Sequence, residues 1–571
     1  MQHHISFTKR LIAVCIAAVF LIGTVCIAGT ATAEAASKWK VSPSGKTLYI
    51  GSKAKFKSNK KVKWYVSGKS SVVKIVSKSS KSVTIKGKKA GTVYLKAKYG
   101  RKVKKMKVKV RSKVPSKIKL ESDLDVIAIG DHTRVNVASV SPSYASKSVK
   151  GYKSSNEAIV KVTNSGYVTG VKAGTATVSA VSKVDGKKKA GGVKITVVNK
   201  ESGTVKLTVD MTDASKYPAG KVARVWIPVP QSDNDQQVTK LEWTAKNCSE
   251  DKSGYKSISG GNKALYVEWG EDVQPEDRKV IFAFHVERRA IARPDNMASL
   301  EKGTVDTDKM AEYLKQTERS GDLTSGIVKD TADKIVKDAN AKTVYQKAYA
   351  IYDWTAENLK RDGSTPGIGA GDVEYILNNY KDQAIGKCTD VNAVFVALCK
   401  AEGIPARTVY GYKLDAMKSG SQHVQKCKPQ YYLPGYGWAE ADVSALLKED
   451  GVMGHEDDYR GANAKYAAEW KKLKDQYWGS ANEMWMMVSS GSDIELTPRQ
   501  SATSALDPVM NLDGSTVKYN GLLNDDGTLN YFIYPYAEYG GEYIACYNRS
   551  DIPQKLSYTF SFTEDEEDCG C

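Results

Sequence analysis

Two stretches of the chain alternate apolar and polar residues strictly. In the first, Val93, Leu95 and Ala97 fall on one side, and in the second Ala176, Val178 and Ala180 do. Each follows the same tetrapeptide, Lys89-Ala90-Gly91-Thr92 and Lys172-Ala173-Gly174-Thr175, and upstream Val73-Lys74-Ile75 is echoed by Val160-Lys161-Val162. Period two with glycine and serine turns over about 80 residues predicts two small antiparallel sandwiches, at 36–113 and 114–200. A third β region, 201–297, contains the strand-like runs 222–230 and 280–287; Pro228 and Pro230 place the first run at a sheet edge or a strand end. From about 300 the period lengthens: Val344, Ala348, Ile351, Thr355 and Leu359 share one helical face. Val391, Val394, Phe395 and Leu398 recur at i, i+3, i+4 and i+7 and predict a second helix, which stops at Gly403 before Ile404-Pro405. Residues 298–500, which contain both helical patterns, are read as one α+β core, and 501–571 as a β-rich extension in which 531–536 reads as a strand. The fold class expected is therefore multidomain: all-β sandwiches, then an α+β core.

Charge divides the chain more sharply than periodicity does. Residues 37–113 hold 26 Lys or Arg and no Asp or Glu; out of a net +21, everything after residue 200 carries −14. The run Met106-Lys-Val-Lys-Val-Arg111 sets an apolar face against a row of cations. A solvated face accounts for most such runs, but a module without a single carboxylate exceeds what solubility needs, and an anionic polymer such as wall teichoic acid is the expected partner. Nucleic acid is not expected, because the lysines are not interleaved with stacking aromatics and an exported chain is in the wrong compartment. Lys9 and Arg10 before an apolar run to Gly29, followed by Ala31-Thr32-Ala33 and Ala33-Glu34-Ala35, read as a secretory signal at 1–35, with retention as an anchor the alternative. Val25 before Cys26 is wrong for a lipid anchor, and no later stretch is apolar enough to span a bilayer, so the mature chain is expected outside the cell or at its wall.

Nine cysteines include Cys15 and Cys26 in that leader, which leaves seven, an odd and scattered set that does not suit a disulfide framework and directs attention to a reactive thiol. Cys388 stands where the 391–398 helix begins, marked by Thr389 and Asp390, and there backbone N–H groups and the helix dipole favour a thiolate. The same N–H groups could serve an oxyanion. Cys399, three turns on, reads as a small buried hydrophobe, and Cys569-Gly-Cys571 as a tail. The spacing of His423 and Cys427 fits no common zinc pattern, and neither a metal nor a cofactor is expected.

The run Gly386-Lys-Cys388, then Gly403-Ile-Pro-Ala-Arg-Thr-Val-Tyr-Gly-Tyr412, then Tyr432-Leu-Pro-Gly-Tyr-Gly-Trp438 and Asp442 resembles the core of the transglutaminase-like superfamily. The second small module, through 152–162 and 166–178, resembles group 2 bacterial Ig-like (BIG2) domains, and the 222–230 strand with Gln237 looks like the sandwich that precedes many bacterial cores of this superfamily. The resemblance implies a papain-like fold with Cys388 as nucleophile, a histidine as base and Asp442 orienting it. Of His132, His285, His423 and His455, only His423 lies between Cys388 and Asp442. Relatives usually carry the base about where Lys426 stands, and a bulge within 424–426 would return His423 to that face. Gln383 could donate to an oxyanion, as a glutamine does in papain-like enzymes, or be a solvated loop residue. The function implied is acyl chemistry on a glutamine or on a protein or peptide carbonyl through a Cys388 thioester, resolved by an amine or by water. The competing reading is a surface adhesin that keeps the fold without the chemistry.

Overall fold

The computed structural model describes residues 38–184, 191–363, 365, 367–448, 460, 466–502, 507–510, 516–519, 521–546 and 556–566. The leader 1–35, His455 and Cys569-Gly-Cys571 lie outside the described residues. Two compact units divide at Val114 and Pro115.

The first unit is a two-sheet sandwich. One sheet sets Gly45–Tyr49 (β1), Lys63–Ser67 (β2), Gly91–Tyr99 (β3) and Lys102–Arg111 (β4) in the order β1-β4-β3-β2. The other sheet orders Val41–Ser42, Lys53–Ser58, Ser82–Gly87 and Val73–Lys78. The alternation read from sequence is the cause of the packing: Val93, Leu95, Ala97, Met106, Val108 and Val110 are buried, with Trp64 and Phe56, while their sequence neighbours face out.

The second unit opens with another sandwich, in which Gly174–Ser182 lies between Val193–Val198 and Val149–Ser154. The repeated tetrapeptide has the same job in both sandwiches. Gly91 (φ 155°) and Gly174 (φ 143°) each start a nine-residue strand, and a Cβ at either position would come within 2.9 Å of a branched side chain, Val72 or Ile159.

Lys200–Asp210 then begins a third sandwich. The 222–230 run forms Ala223–Pro228, so its prolines do mark a strand end, and 280–287 forms part of Lys279–Arg289. Strands from the end of the chain complete both of its sheets: Ser557–Glu564 pairs with Lys200–Asp210, and Tyr536–Tyr539 pairs with Ala223–Pro228. Residues 531–535 differ from expectation. They are buried without ladder pairing, and the strand begins only at Tyr536.

Between these strands sits the α+β core, with helices Gly326–Asp338 (α1), Val344–Asn358 (α2), Val373–Asn379 (α3) and Cys388–Ala401 (α4). Strands Ala406–Lys413 (β5), Gln425–Leu433 (β6), Gly437–Glu440 (β7) and Trp485–Ser490 (β8) form an antiparallel sheet in the order β7-β6-β5-β8. Thr343 caps α2 through the Gln346 N–H, with Gln346 returning the bond. The α4 stripe Val391, Val394, Phe395 and Leu398 is fully buried against the other helices, and the helix ends at Glu402 before Gly403 in the left-handed region (φ 72°). Among the described residues no helix is long and apolar enough to cross a membrane.

Candidate active site

Helix α4 starts at Cys388 because a buried carboxylate holds its first turn. The Asp390 carboxylate accepts the backbone N–H groups of Lys387, Ala370 and Gly371 at 2.8–2.9 Å, tying α4 to the 367–371 loop. Burial pushes the Asp390 carboxyl up to about 6, against those three donors. Gly386 (φ 120°) and Gly369 (φ 107°) pack on this carboxylate, and a Cβ at either would collide with it. The Gly386-Lys-Cys388 signature therefore describes the seat of the helix. Of the first-turn donors proposed for an oxyanion, Thr389 N–H is already given to the Ile368 carbonyl at 2.9 Å.

The Cys388 thiol is buried, 3.9 Å from that same Ile368 carbonyl, and its pKa is lowered to about 6. The main cause is a hydrogen bond donated by the Cys427 thiol, followed by the nearby charges of Arg361 and Lys448, which together outweigh burial. Cys427 lies on β6 against the start of α4: its sulfur is 3.3 Å from Asn392 Nδ2 and 3.6 Å from Thr389 Oγ1. Its own pKa is raised well above the ordinary thiol range by burial and by donating to Cys388. Cys399 is buried, and desolvation raises its thiol pKa.

Asp442 is buried, caps a short turn by accepting the Ala445 N–H at 3.0 Å, and pairs with Lys426 Nζ at 2.7 Å. Burial alone would raise the Asp442 carboxyl, but the Lys426 and Lys428 cations more than offset it and hold the pKa below the usual value. Lys426 in turn is raised: Asp442, its hydrogen bond and Cys388 overcome the cost of desolvating the ammonium. Lys428, buried 4.4 Å over the Trp485 ring, goes the other way, to about 8, because desolvation dominates.

Two expectations are corrected here. His423 is exposed, one residue outside the hydrogen-bonded start at Val424, with its backbone N–H on Ser421 Oγ. The bulge that would have turned it inward is absent: β5 and β6 pair without a register shift from Ala406–Tyr431 to Tyr412–Gln425, and the Lys413 N–H continues the ladder to the Val424 carbonyl. Lys426 therefore occupies the place beside Asp442. Gln383 is exposed and gives its amide to the Tyr375 hydroxyl at 2.9 Å. Sequence reasoning reaches Lys426 only as the position where relatives keep a histidine and Cys427 only through a zinc pattern it does not fit, and it misses Arg361 and Asn392. A basic residue in that register, next to a second cysteine, was the available signal.

A narrow cleft of about 50 Å³ runs along another face of α4, lined by Thr389, Ala393, Val396 and Lys400 and by Arg407 and Tyr410 of β5. Arg407 stacks 4.2 Å over Trp438, which gives the Gly-Trp motif a packing role. Desolvation brings the Lys400 ammonium down to about 8.

Comparison with known proteins agrees with this architecture. An uncharacterised protein of Haemophilus influenzae is 30% identical, the match covering 59% of this chain and 85% of that protein. Two solved structures share 14% and 15% identity. One, from Cytophaga hutchinsonii and described as a putative cysteine protease, is covered over 98% of its length and matches 64% of this chain at a TM-score of 0.33. The other, the periplasmic domain of TgpA from Pseudomonas aeruginosa, is covered over 90% and matches 43% of this chain at 0.23. Residues 122–193 match the group 2 bacterial Ig-like domain, and residues 329–443 match the transglutaminase-like superfamily, whose core begins in α1 and ends just beyond Asp442. The chain belongs to the family of the H. influenzae protein and carries a transglutaminase-like core behind a group 2 bacterial Ig-like domain.

Proposed function

We propose that the chain is a surface cysteine enzyme that takes a glutamine side chain or a peptide amide as a Cys388 thioester, with Lys426 doing the proton work expected of histidine. The arrangement supports the reading above all: Cys388 stands at the start of α4 with Cys427 against it, and the Lys426–Asp442 ion pair is held on the neighbouring strand. The Cys388 thiolate adds to the amide carbonyl, forming the C–S bond. The C–N bond then breaks as the departing amine takes a proton from the Lys426 ammonium. The now neutral Lys426 accepts a proton from the incoming water or amine, which attacks the thioester; the C–S bond breaks and the thiolate returns. Asp442 keeps Lys426 protonated in the resting state, so the first step has an acid available at neutral pH. The cleft whose lining includes Thr389, the residue after Cys388, is assigned as the path for substrate. Surface placement is supported by the leader pattern in the sequence and by the group 2 Ig-like domain.

The exposed His423 favours a second reading, a binding protein that keeps the fold. Hydroxylamine trapping separates the two. Wild-type chain incubated with a glutaminyl peptide and with a peptide amide should form hydroxamate or hydrolyse the amide, Cys388→Ala should do neither, and Lys426→Met should lose turnover while Cys388 stays alkylatable at a higher midpoint. Wild type and Cys388→Ala giving the same background on both substrates would favour the binding reading.

A further inference from the structure

The basic module resolves into a patterned surface only when its strands are set side by side. On β3 and β4 the residues facing away from the core are Thr92, Tyr94, Lys96 and Lys98, and Lys105, Lys107, Lys109 and Arg111. The register places Tyr94 opposite Lys107, and Lys96 between Lys105 on β4 and Tyr65 on β2. Lys98 faces Lys63, and Lys109 stands between Thr92 and Thr47. Lys96 with Lys105 and Lys63 with Lys98 are like charges directly opposed across strands, an arrangement that costs stability unless anions cover it. Tyr94 stands between Thr92 and Lys96 on the outer side of β3, and Tyr65 next to Lys63 on β2, so these lysines are interleaved with aromatic rings, contrary to the expectation from sequence. Tyr65 and Tyr94 are 39% and 43% exposed.

Tyr65 and two other rings of the module are covered on one side. Lys96 sits over Tyr65 at 5.8 Å, Lys113 over Tyr49 at 5.0 Å and Lys104 over Trp39 at 5.2 Å. A ring roofed by an ammonium is closed on that side to a nucleobase, and the exposed Tyr94 stands among the lysines. The opposite face of the sandwich carries its own row, Lys53, Lys86 and Lys74, with no aromatic beside it.

We infer that the outer face of the β1-β4-β3-β2 sheet is a docking surface for a polyol-phosphate wall polymer of the teichoic-acid type, its phosphodiesters paired with the β3 and β4 lysines and its polyol or sugar carbons resting against Tyr94. The lysines form a grid with neighbours about 4.8 Å apart across strands and about 6.8 Å apart along them, and a flexible polymer with one charge per repeat can follow it. Each contact is weak and screened, and the sum depends on salt.

The test uses the full chain and purified poly(glycerol phosphate) teichoic acid, with affinity read at two salt concentrations. Wild type and Cys388→Ala should bind equally, which keeps this result separate from the fate of the acyl-transfer reading, and both should release the polymer at high salt. The triple variant Lys105→Gln, Lys107→Gln, Lys109→Gln should bind at least tenfold more weakly. The matched variant Lys53→Gln, Lys55→Gln, Lys57→Gln should lose less than threefold, and Tyr94→Ala should weaken binding where Tyr94→Phe does not. Equal losses in the two triple variants, salt-insensitive binding, or equal affinity for single-stranded DNA of the same charge would overturn the assignment.

Discussion

Lysine does opposite work in the basic module and in the transglutaminase-like core. On the β3–β4 face lysines stand in rows facing solvent, and Lys96 and Lys105 oppose each other directly. In the core Lys426 is fixed at 2.7 Å on Asp442, and Lys428 is buried against an indole ring. In the first region charge is collective, so no single position matters much. In the second it is local: Lys426 and Asp442 are partners, and removing one leaves the other without compensation. Substitutions should therefore divide into large effects at the site and small ones on the face.

The largest effect is on activity. Cys388→Ala should lower thioester turnover by about 10³-fold or more, since the nucleophile acts as a unit with its proton donor. Asp442→Ala should come next, at about 1–3 kcal/mol of stability read from denaturant unfolding, because it removes the buried carboxylate that holds Lys426 Nζ and accepts the Ala445 N–H. Gly386→Ala should cost about 1–3 kcal/mol, through its positive φ and the collision with Asp390, and should also slow alkylation of Cys388. Cys427→Ala removes the thiol that donates to Cys388, so the midpoint of Cys388 alkylation should rise while the fold persists. The sign is fixed by that lowered thiol pKa. The stability gained from a folded thiolate is fully present above the ordinary thiol value of about 8.5 and is lost as pH falls through about 6. Smallest of all, any one lysine of the β3–β4 face changed to glutamine should move stability by no more than about 0.5 kcal/mol. A large loss from one such lysine would break the contrast.

What could be read before the structure was whatever local physics decides. The α4 stripe, its glycine stop and the Cys388 start are properties of one segment, and so are the alternating strands behind the two tetrapeptides. The proton-transfer group was not local. Exclusion among histidines selected a residue by its chemistry, whereas the β5–β6 register selects by position and delivers Lys426. Cys427 read as one half of an incomplete metal pattern, because its partner Cys388 is 39 residues away and meets it only when β6 packs on α4. Gln383 lies five residues from Cys388, but proximity in sequence carried no direction, and its amide points to Tyr375. The strands at the chain end were legible as β without any sign that they complete a sandwich opened 350 residues earlier.

Alkylation of Cys388 by iodoacetamide across pH 4 to 10, followed by mass spectrometry in wild type, His423→Ala and Lys426→Met, tests the central claim most directly. The account predicts a wild-type midpoint near 6, no change in His423→Ala, a higher midpoint in Lys426→Met, and no labelling of Cys399 in the folded chain. A wild-type midpoint above about 8, or one that moves with His423 and not with Lys426, would contradict it.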